Sequence, residues 1–152
     1  MNDKAKRYAA VAALATAIAV PAEGLRQWAY YDPPGILTVC YGHTGNVEKG
    51  RKYGLEECRE LLTEDMLEAV KAVEQCHPGL PVHVHAAFAD AVYNIGPKVA
   101  CASTAAGYLR AGNYEAACKE LPRWNKARVA GVLVPLPGLT KRRNAEMQLC
   151  LS

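Results

Sequence analysis

EGLRQWAYYDPPGILTVCYGHT, residues 23–44, is where this chain passes from helix-forming to strand-forming chemistry. An alanine-rich run precedes it. Within it, Tyr30, Tyr31, Ile36, Thr38, Val39 and Tyr41 are strand formers. Asp32-Pro33-Pro34-Gly35 is turn chemistry, with proline fixing φ and glycine free to take φ > 0. The stretch therefore predicts two or three short strands. Downstream, Leu55, Leu61, Leu62, Met66, Leu67, Val70 and Val73 recur near a 3.6-residue period and predict helix over 55–75. Thr63, followed by Glu64 and Asp65, reads as the N-cap of a second helix inside that span. Residues 82–95 predict an apolar helix stopped by Gly96-Pro97, and 99–110 and 113–121 two short helices. A loop with Pro135 and Pro137 follows, then a last helix from about Thr140 to Leu151. A helix, a small sheet and then many helices make an α+β protein with its sheet in one lobe.

The 152 residues suit one domain with a real core, and 51% hydrophobic with 22% charged residues excludes a disordered chain. A net charge of +3 is too small to make nucleic acid the expected partner, but it favours an anionic polymer such as cell wall. No phosphate-binding glycine loop and no CxxC pair occurs, so neither a nucleotide cofactor nor a zinc ribbon is expected. His83 and His85 stand two apart, which on a helix puts them on different faces and makes a poor metal site. Cysteines 40, 58, 76, 101, 118 and 150 are even in number and dispersed, as in proteins of oxidising compartments; buried free thiols are the alternative.

Lys4, Lys6 and Arg7 precede an uncharged run from Tyr8 to Val20 whose strong hydrophobes are Val11, Leu14, Ile18 and Val20. As helix the run spans roughly 20 Å against a bilayer core of about 30 Å. Those four residues supply only about −1 to −2 kcal/mol of insertion free energy. Three readings stand: a cleaved signal peptide ending near Val20-Pro21-Ala22, a weak anchor that later leaves the membrane, or an alanine-rich core helix. The basic head disfavours the last and keeps an inserted N-terminus cytoplasmic. The acid at position 23 disfavours the first, because cleavage would leave it on a frayed end.

Glu23 and Asp32 are candidate paired carboxyls. Glycoside hydrolysis needs one protonated acid for the leaving oxygen and a second carboxylate for water or the sugar. Glu23, beside Leu25 and Trp28, is expected to be partly buried and so to favour its protonated form; Asp32, in a polar turn, is expected to stay ionised. The spacing alone is weak, since acids are usually solvated surface residues.

The residues around them are more specific. Glu23-Gly24-Leu25-Arg26, Tyr30, Asp32, Gly35, Thr38 and Tyr41-Gly42-His43-Thr44 closely resemble the active-site segment of the phage lysozymes, glycoside hydrolase family 24. Phe88–Gly96 (FADAVYNIG), Trp124 and Gly138-Leu139-Thr140-Lys141-Arg142-Arg143 with Glu146 resemble further motifs of that family in the same order. The resemblance covers roughly residues 22–151. It implies a lysozyme-like fold: a small β-sheet lobe and a larger helical lobe with the active-site cleft between them. It implies an endolysin acting on the bond between N-acetylmuramic acid and N-acetylglucosamine in bacterial peptidoglycan, as a monomer without cofactor or metal. By the same resemblance Glu23 is the general acid, Asp32 activates or positions water, and Thr38 orients it. Arg143 pairs with Glu23, Tyr93 and Asn94 line the cleft, and His43 is mainly structural. Trp124 is read as core, whereas Trp28 is open between core and sugar stacking.

Phage lysozymes with an uncleaved, weakly hydrophobic N-terminus resemble signal-anchor-release endolysins. The expected division is residues 1–20 as the anchor, which becomes the first helix of the active enzyme, and 21–152 as the catalytic domain. Residues 8–20 would sit transiently in the inner membrane before release to the periplasm. A cysteine switch within the anchor is unavailable, because no cysteine precedes position 40. Cys40 follows the Thr38 strand and Cys58 lies on the next helix, which suggests a 40–58 bond. The family packs the helices bearing Cys118 and Cys150 together, and Cys76–Cys101 remain, out of fifteen connectivities. The competing reading is a noncatalytic peptidoglycan-binding or membrane-tethered protein on the same scaffold.

Overall fold

The computed structural model describes all 152 residues. Helix α1, Asp3–Glu23, starts where the Asn2 side chain accepts a hydrogen bond from the Ala5 amide at 2.8 Å. It runs unbroken across residue 20 and through Pro21, although proline withholds one backbone donor. It stops at Gly24, which takes φ 70° and returns its amide to Val20. Val11, Ala12, Ala15 and Ala19 are buried on one side of α1, against α2 (Leu55–Cys76) and α3 (Val82–Ile95). The alanines that make the segment a poor membrane span let the helices approach closely. No helix of the chain is long and apolar enough to cross a membrane.

Strands β1 (Arg26–Tyr31), β2 (Leu37–Cys40) and β3 (His43–Thr44) form an antiparallel sheet in that order. The turn before β2 closes as the proline-glycine pattern demands: the Gly35 amide donates to the Asp32 carbonyl at 2.8 Å. Arg26 pairs with Cys40 and Tyr30 with Thr38, so β1 carries a bulge between them.

The larger lobe is built around α3, whose residues Val84 to Val92 are all buried. Phe88 and Met66 fill the core there. Helices α4 (Lys98–Cys101), α5 (Thr104–Arg110) and α6 (Tyr114–Glu120) and a short 3-10 turn lead to α7 (Pro137–Leu151), which packs back on α3. Trp124 is half-buried against the core.

Four details differ from the sequence reading. Residues 55–76 are one helix rather than two; Thr63 lies inside it and its hydroxyl donates back to the Arg59 carbonyl at 3.0 Å. The loop expected before the last helix contains a second hairpin, β4 (Lys126–Val129) and β5 (Val132–Pro135), so the sheet content is not confined to one lobe. The last helix begins at Pro137, where proline suits a first turn, and not at Thr140. The span 99–110 is two helices, parted by Ala102 and by Ser103, whose side chain caps α5.

The cysteines form Cys40–Cys58, Cys76–Cys101 and Cys118–Cys150, with none free. The first ties the sheet to the start of α2, the second ties the end of α2 to α4, and the third ties α6 to the last turn of α7. They close loops of 18, 25 and 32 residues, each constraining the unfolded chain by about 3–4 kcal/mol.

Candidate active site

Glu23 is the last residue of α1, and its position follows from how that helix ends. Gly24 turns the chain out into β1, leaving the Glu23 side chain at the junction of the two lobes. There a cleft of about 530 Å³ is lined by Glu23, Gly42, Asp65, Glu68, Tyr93 and Asn94 among others. Glu23 is 23% exposed, reachable but mostly covered. The cover does not come from its neighbours in sequence: Leu25 is exposed and Trp28 is 56% exposed, which also removes Trp28 from the core.

Two groups from distant parts of the chain cover it instead. The first is the turn between β2 and β3. Cys40 and Gly42 both take positive φ, 62° and 85°, which folds the turn tightly over Glu23. A Cβ on Gly42 would stand 3.3 Å from Glu23 Oε2 and 3.8 Å from the Tyr93 hydroxyl. Tyr93, from α3, locks this turn by donating its hydroxyl to the Tyr41 carbonyl at 2.7 Å. Burial, then the charge of Glu23, pushes its phenol well above the usual range, so it remains a donor. Gly42→Ala is expected to lower stability by about 1–2 kcal/mol through the positive φ and to cost activity besides by displacing the Glu23 carboxyl. Paired denaturant titration and glycan-cleavage assays read the two effects separately. Full activity in this variant would show that the turn does not set the position of the acid.

The second group is Arg142 from α7. Its Nη1 donates to Glu23 Oε1 at 2.5 Å, while Nε and Nη2 donate to Asp90 Oδ2 and Oδ1 at 2.9 and 2.8 Å. The arginine is 4% exposed and Asp90 fully buried. Burial works against the Arg142 charge, but the Asp90 contacts outweigh it and hold the guanidinium ionised. This corrects the expected partner of Glu23. Arg143 is fully buried and points elsewhere: it donates to Asn94 Oδ1 at 2.8 Å and pairs with Glu146. Successive residues on a helix are turned by about 100°, so an Arg-Arg doublet cannot send both side chains to one partner. The sequence motif held the right doublet but not its phase.

Asp32 and Thr38 share the sheet lobe through one residue. Asp32 Oδ1 accepts the Ile36 amide at 2.7 Å, and the Thr38 hydroxyl donates to the Ile36 carbonyl at 2.9 Å. The turn thus fixes both side chains and leaves Asp32 Oδ2 without a partner in the chain. Thr38 is buried on the central strand, and neither residue is among those lining the cleft around Glu23, whereas Tyr93 and Asn94 are. His43, on β3, sits in an adjoining pocket. Its Nδ1 lies 2.7 Å from Asp65 Oδ2 and its Nε2 3.1 Å from the Gly45 carbonyl, so the ring ties β3 to α2. Asp65 carries the cost of this position: burial raises its carboxyl above the ordinary value against the pull of His43. His85 is buried and contacts Arg7 and the Val70 carbonyl, while His83 lies at the surface beside Ser152.

The sequence reading missed Asp90 and Asp65 as parts of the site, and named Gly42 and Arg142 only within motifs, with no role of their own. Asp90 carried a signal, being one acid inside an otherwise apolar stretch. Asp65 carried none, since it reads as an ordinary acid of an exposed helix face.

A cleft between a small sheet and a helical lobe, with the mostly covered Glu23 in its lining, can donate a proton to a bound polymer. Comparison with known proteins agrees with that architecture. The profile of the phage lysozyme family matches residues 20–146. The SAR-endolysin of Pseudomonas phage phiKMV is 35% identical over 158 aligned positions, which take in 99% of this chain and 93% of that one. The muramidase domain of SpmX from Asticaccaulis excentricus superposes with a TM-score of 0.82 at 29% identity, over 94% of this chain and 95% of that one. The active form of the P1 phage endolysin Lyz superposes at 0.78 with 25% identity, over 91% of this chain and 83% of that one.

Proposed function

This chain belongs to the phage lysozyme family and is a peptidoglycan-lysing endolysin, a glycoside hydrolase of the muramidase kind, and we propose that Glu23 is the acid with which it cuts glycan strands. The bond cut is the β-1,4 link from N-acetylmuramic acid to N-acetylglucosamine. The observation that carries this reading is a glutamate at the lobe junction, reachable from the cleft yet gripped by Arg142 and the Gly42 turn, as the other cleft glutamate, Glu68, is not.

Glu23 gives its proton to the departing glycosidic oxygen. The resulting positive charge on the sugar is met by water. Asp32 and Thr38 stand outside the lining around Glu23, so on this proposal the water enters from the sheet side: Asp32, with one oxygen committed to the turn and the other unpartnered, takes a proton from it, and Thr38 orients it through the lone pairs left beside its bond to Ile36. Tyr93 and Asn94 line the groove in which the strand lies. Arg142 fixes the Glu23 rotamer.

The test is digestion of purified peptidoglycan in H2(18)O with mass analysis of the fragments. One 18O at each new reducing muramic acid is expected. Fragments ending in anhydro sugars would replace hydrolysis with transglycosylation. Binding without fragments would replace it with the noncatalytic reading.

Residues 1–20 serve, on the same proposal, first as a signal anchor and then as most of α1. Likeness to the phiKMV SAR-endolysin along nearly the whole chain supports this, as do the basic head at Lys4, Lys6 and Arg7 and the short alanine-rich run behind it. The inner membrane would hold the segment with its N-terminus cytoplasmic until release to the periplasm.

A further inference from the structure

The helical lobe buries more charge than proton donation from Glu23 requires. Behind Arg142 lie Asp90 on α3 and Arg143 and Glu146 on α7, all fully buried. They form a chain that leaves the cleft at one residue and re-enters it at another. Glu23 meets Arg142, Arg142 meets Asp90 through two hydrogen bonds, and Asp90 contacts Glu146. Glu146 in turn pairs with Arg143 at 2.6 Å, and Arg143 reaches Asn94, back in the cleft wall.

Two guanidiniums therefore face three carboxyls, Glu23, Asp90 and Glu146. Burial and the contact with Asp90 both work against a charge on Glu146, so a proton belongs between those two carboxyls. Asp90 is the acceptor, because both of its oxygens are already committed to Arg142 and its charge is needed there.

We propose that Asp90 is a positioning residue for the lysozyme reaction: its carboxylate, held by a hydrogen bond from the Glu146 carboxylic acid, steers Arg142 onto Glu23 and offsets the arginine's charge there. The proposal rests on Glu23 being the acid. Burial, then the Asp90 contact, raises the Glu146 carboxyl against the pull of Arg143, in the sense the arrangement needs.

The consequence concerns the net charge that Glu23 meets at Arg142. An unopposed guanidinium would favour the carboxylate and remove the proton donor. Asp90 neutralises that pull while keeping the arginine in place. Of the other ionisable groups at the cleft, Asp65 and Glu68 lie on α2; Tyr93, on α3, feels the Asp90 charge, but its burial, the larger cause, keeps the phenol a neutral donor without it. They do not compensate.

The experiment is the pH profile of kcat and KM on soluble glycan fragments for wild type, Asp90→Asn, Glu146→Ala, Glu146→Gln and Glu23→Gln. In Asp90→Asn the basic limb of kcat/KM is expected to move to lower pH by roughly one unit. Its kcat should fall about tenfold with KM within twofold. Glu146→Gln, which keeps a donor for Asp90, should lie nearer wild type than Glu146→Ala. Should Asp90→Asn fail to fold, 13C spectra of wild type labelled at glutamate Cδ decide: one glutamic acid stays protonated at pH 7, and its signal is missing in Glu146→Gln. An unmoved or upward-moved basic limb overturns the proposal, as does a spectrum with every glutamate ionised at pH 7. If Glu23→Gln is as active as wild type, the assignment of the acid itself has failed instead.

Discussion

Glu23→Gln is expected to lower peptidoglycan cleavage by about 10²–10⁴-fold while leaving the fold and wall binding in place. Glutamine has the same size and can still accept the Arg142 hydrogen bond through its amide oxygen, so the grip seen at 2.5 Å need not open. What it lacks is a proton to give. Its carbonyl also carries no full charge, so the buried Arg142 must lean more on Asp90, whose two bonds to it are already made. The loss should therefore fall on kcat, with KM little changed, because the Tyr93 and Asn94 wall of the cleft is untouched. Reducing-sugar release and pull-down on insoluble wall, measured on the same preparations, separate the two. Equal cleavage by the variant would remove Glu23 as the acid and leave the cleft as a binding groove.

The hairpin after α1 and the end of α1 itself are legible in the sequence, and the reason is local. Asp32, Thr38 and Gly35 lie within one hairpin, where turn chemistry and strand alternation fix geometry over a few residues. The end of α1 at Gly24 is equally local. What the chain alone did not disclose is where segments far apart meet. The partner of Glu23 lies 119 positions away, and choosing Arg142 over Arg143 needs the rotational phase of α7 against α3. That phase is set by packing, and the usual guide failed, because α7 buries two arginines and a glutamate where an amphipathic helix would bury leucines. The β4–β5 hairpin was hidden for a related reason. Val129, Val132 and Leu133 are exposed and form no apolar face to betray a strand, while Pro135 and Pro137 read as loop. Leu25 and Trp28 misled in the opposite direction: apolar neighbours in sequence promised cover for Glu23 that a turned strand carries away from it.

Removing residues 1–20 is expected to abolish activity altogether, even when the rest of the chain is exported by another signal. The cut falls inside α1 and leaves only Pro21, Ala22 and Glu23 of it, too few to hold a helix. It strips Val11, Ala12, Ala15 and Ala19 from the core and exposes the faces of α2 and α3 beneath them. It also takes Arg7, whose guanidinium donates to the Leu80 carbonyl and touches His85 Nδ1, so a buried histidine keeps Val70 but loses the partner of its other nitrogen. Losing one buried valine and three alanines, with the partner surface opened to water, is comparable with the 5–15 kcal/mol that typically holds a domain. The disulfides would not rescue it, for none involves a residue before Cys40 and α1 is left untethered. A helix held in lipid is as absent from this core as a deleted one. Its return would supply Glu23 and the missing wall of the core together, so activity and stability should appear in one step. The decisive preparation is residues 21–152 secreted into the periplasm, assayed for lysis and for protease resistance. Full lytic activity there would show that α1 is dispensable, that the acid needs no helix to hold it, and that the segment is a cleavable leader.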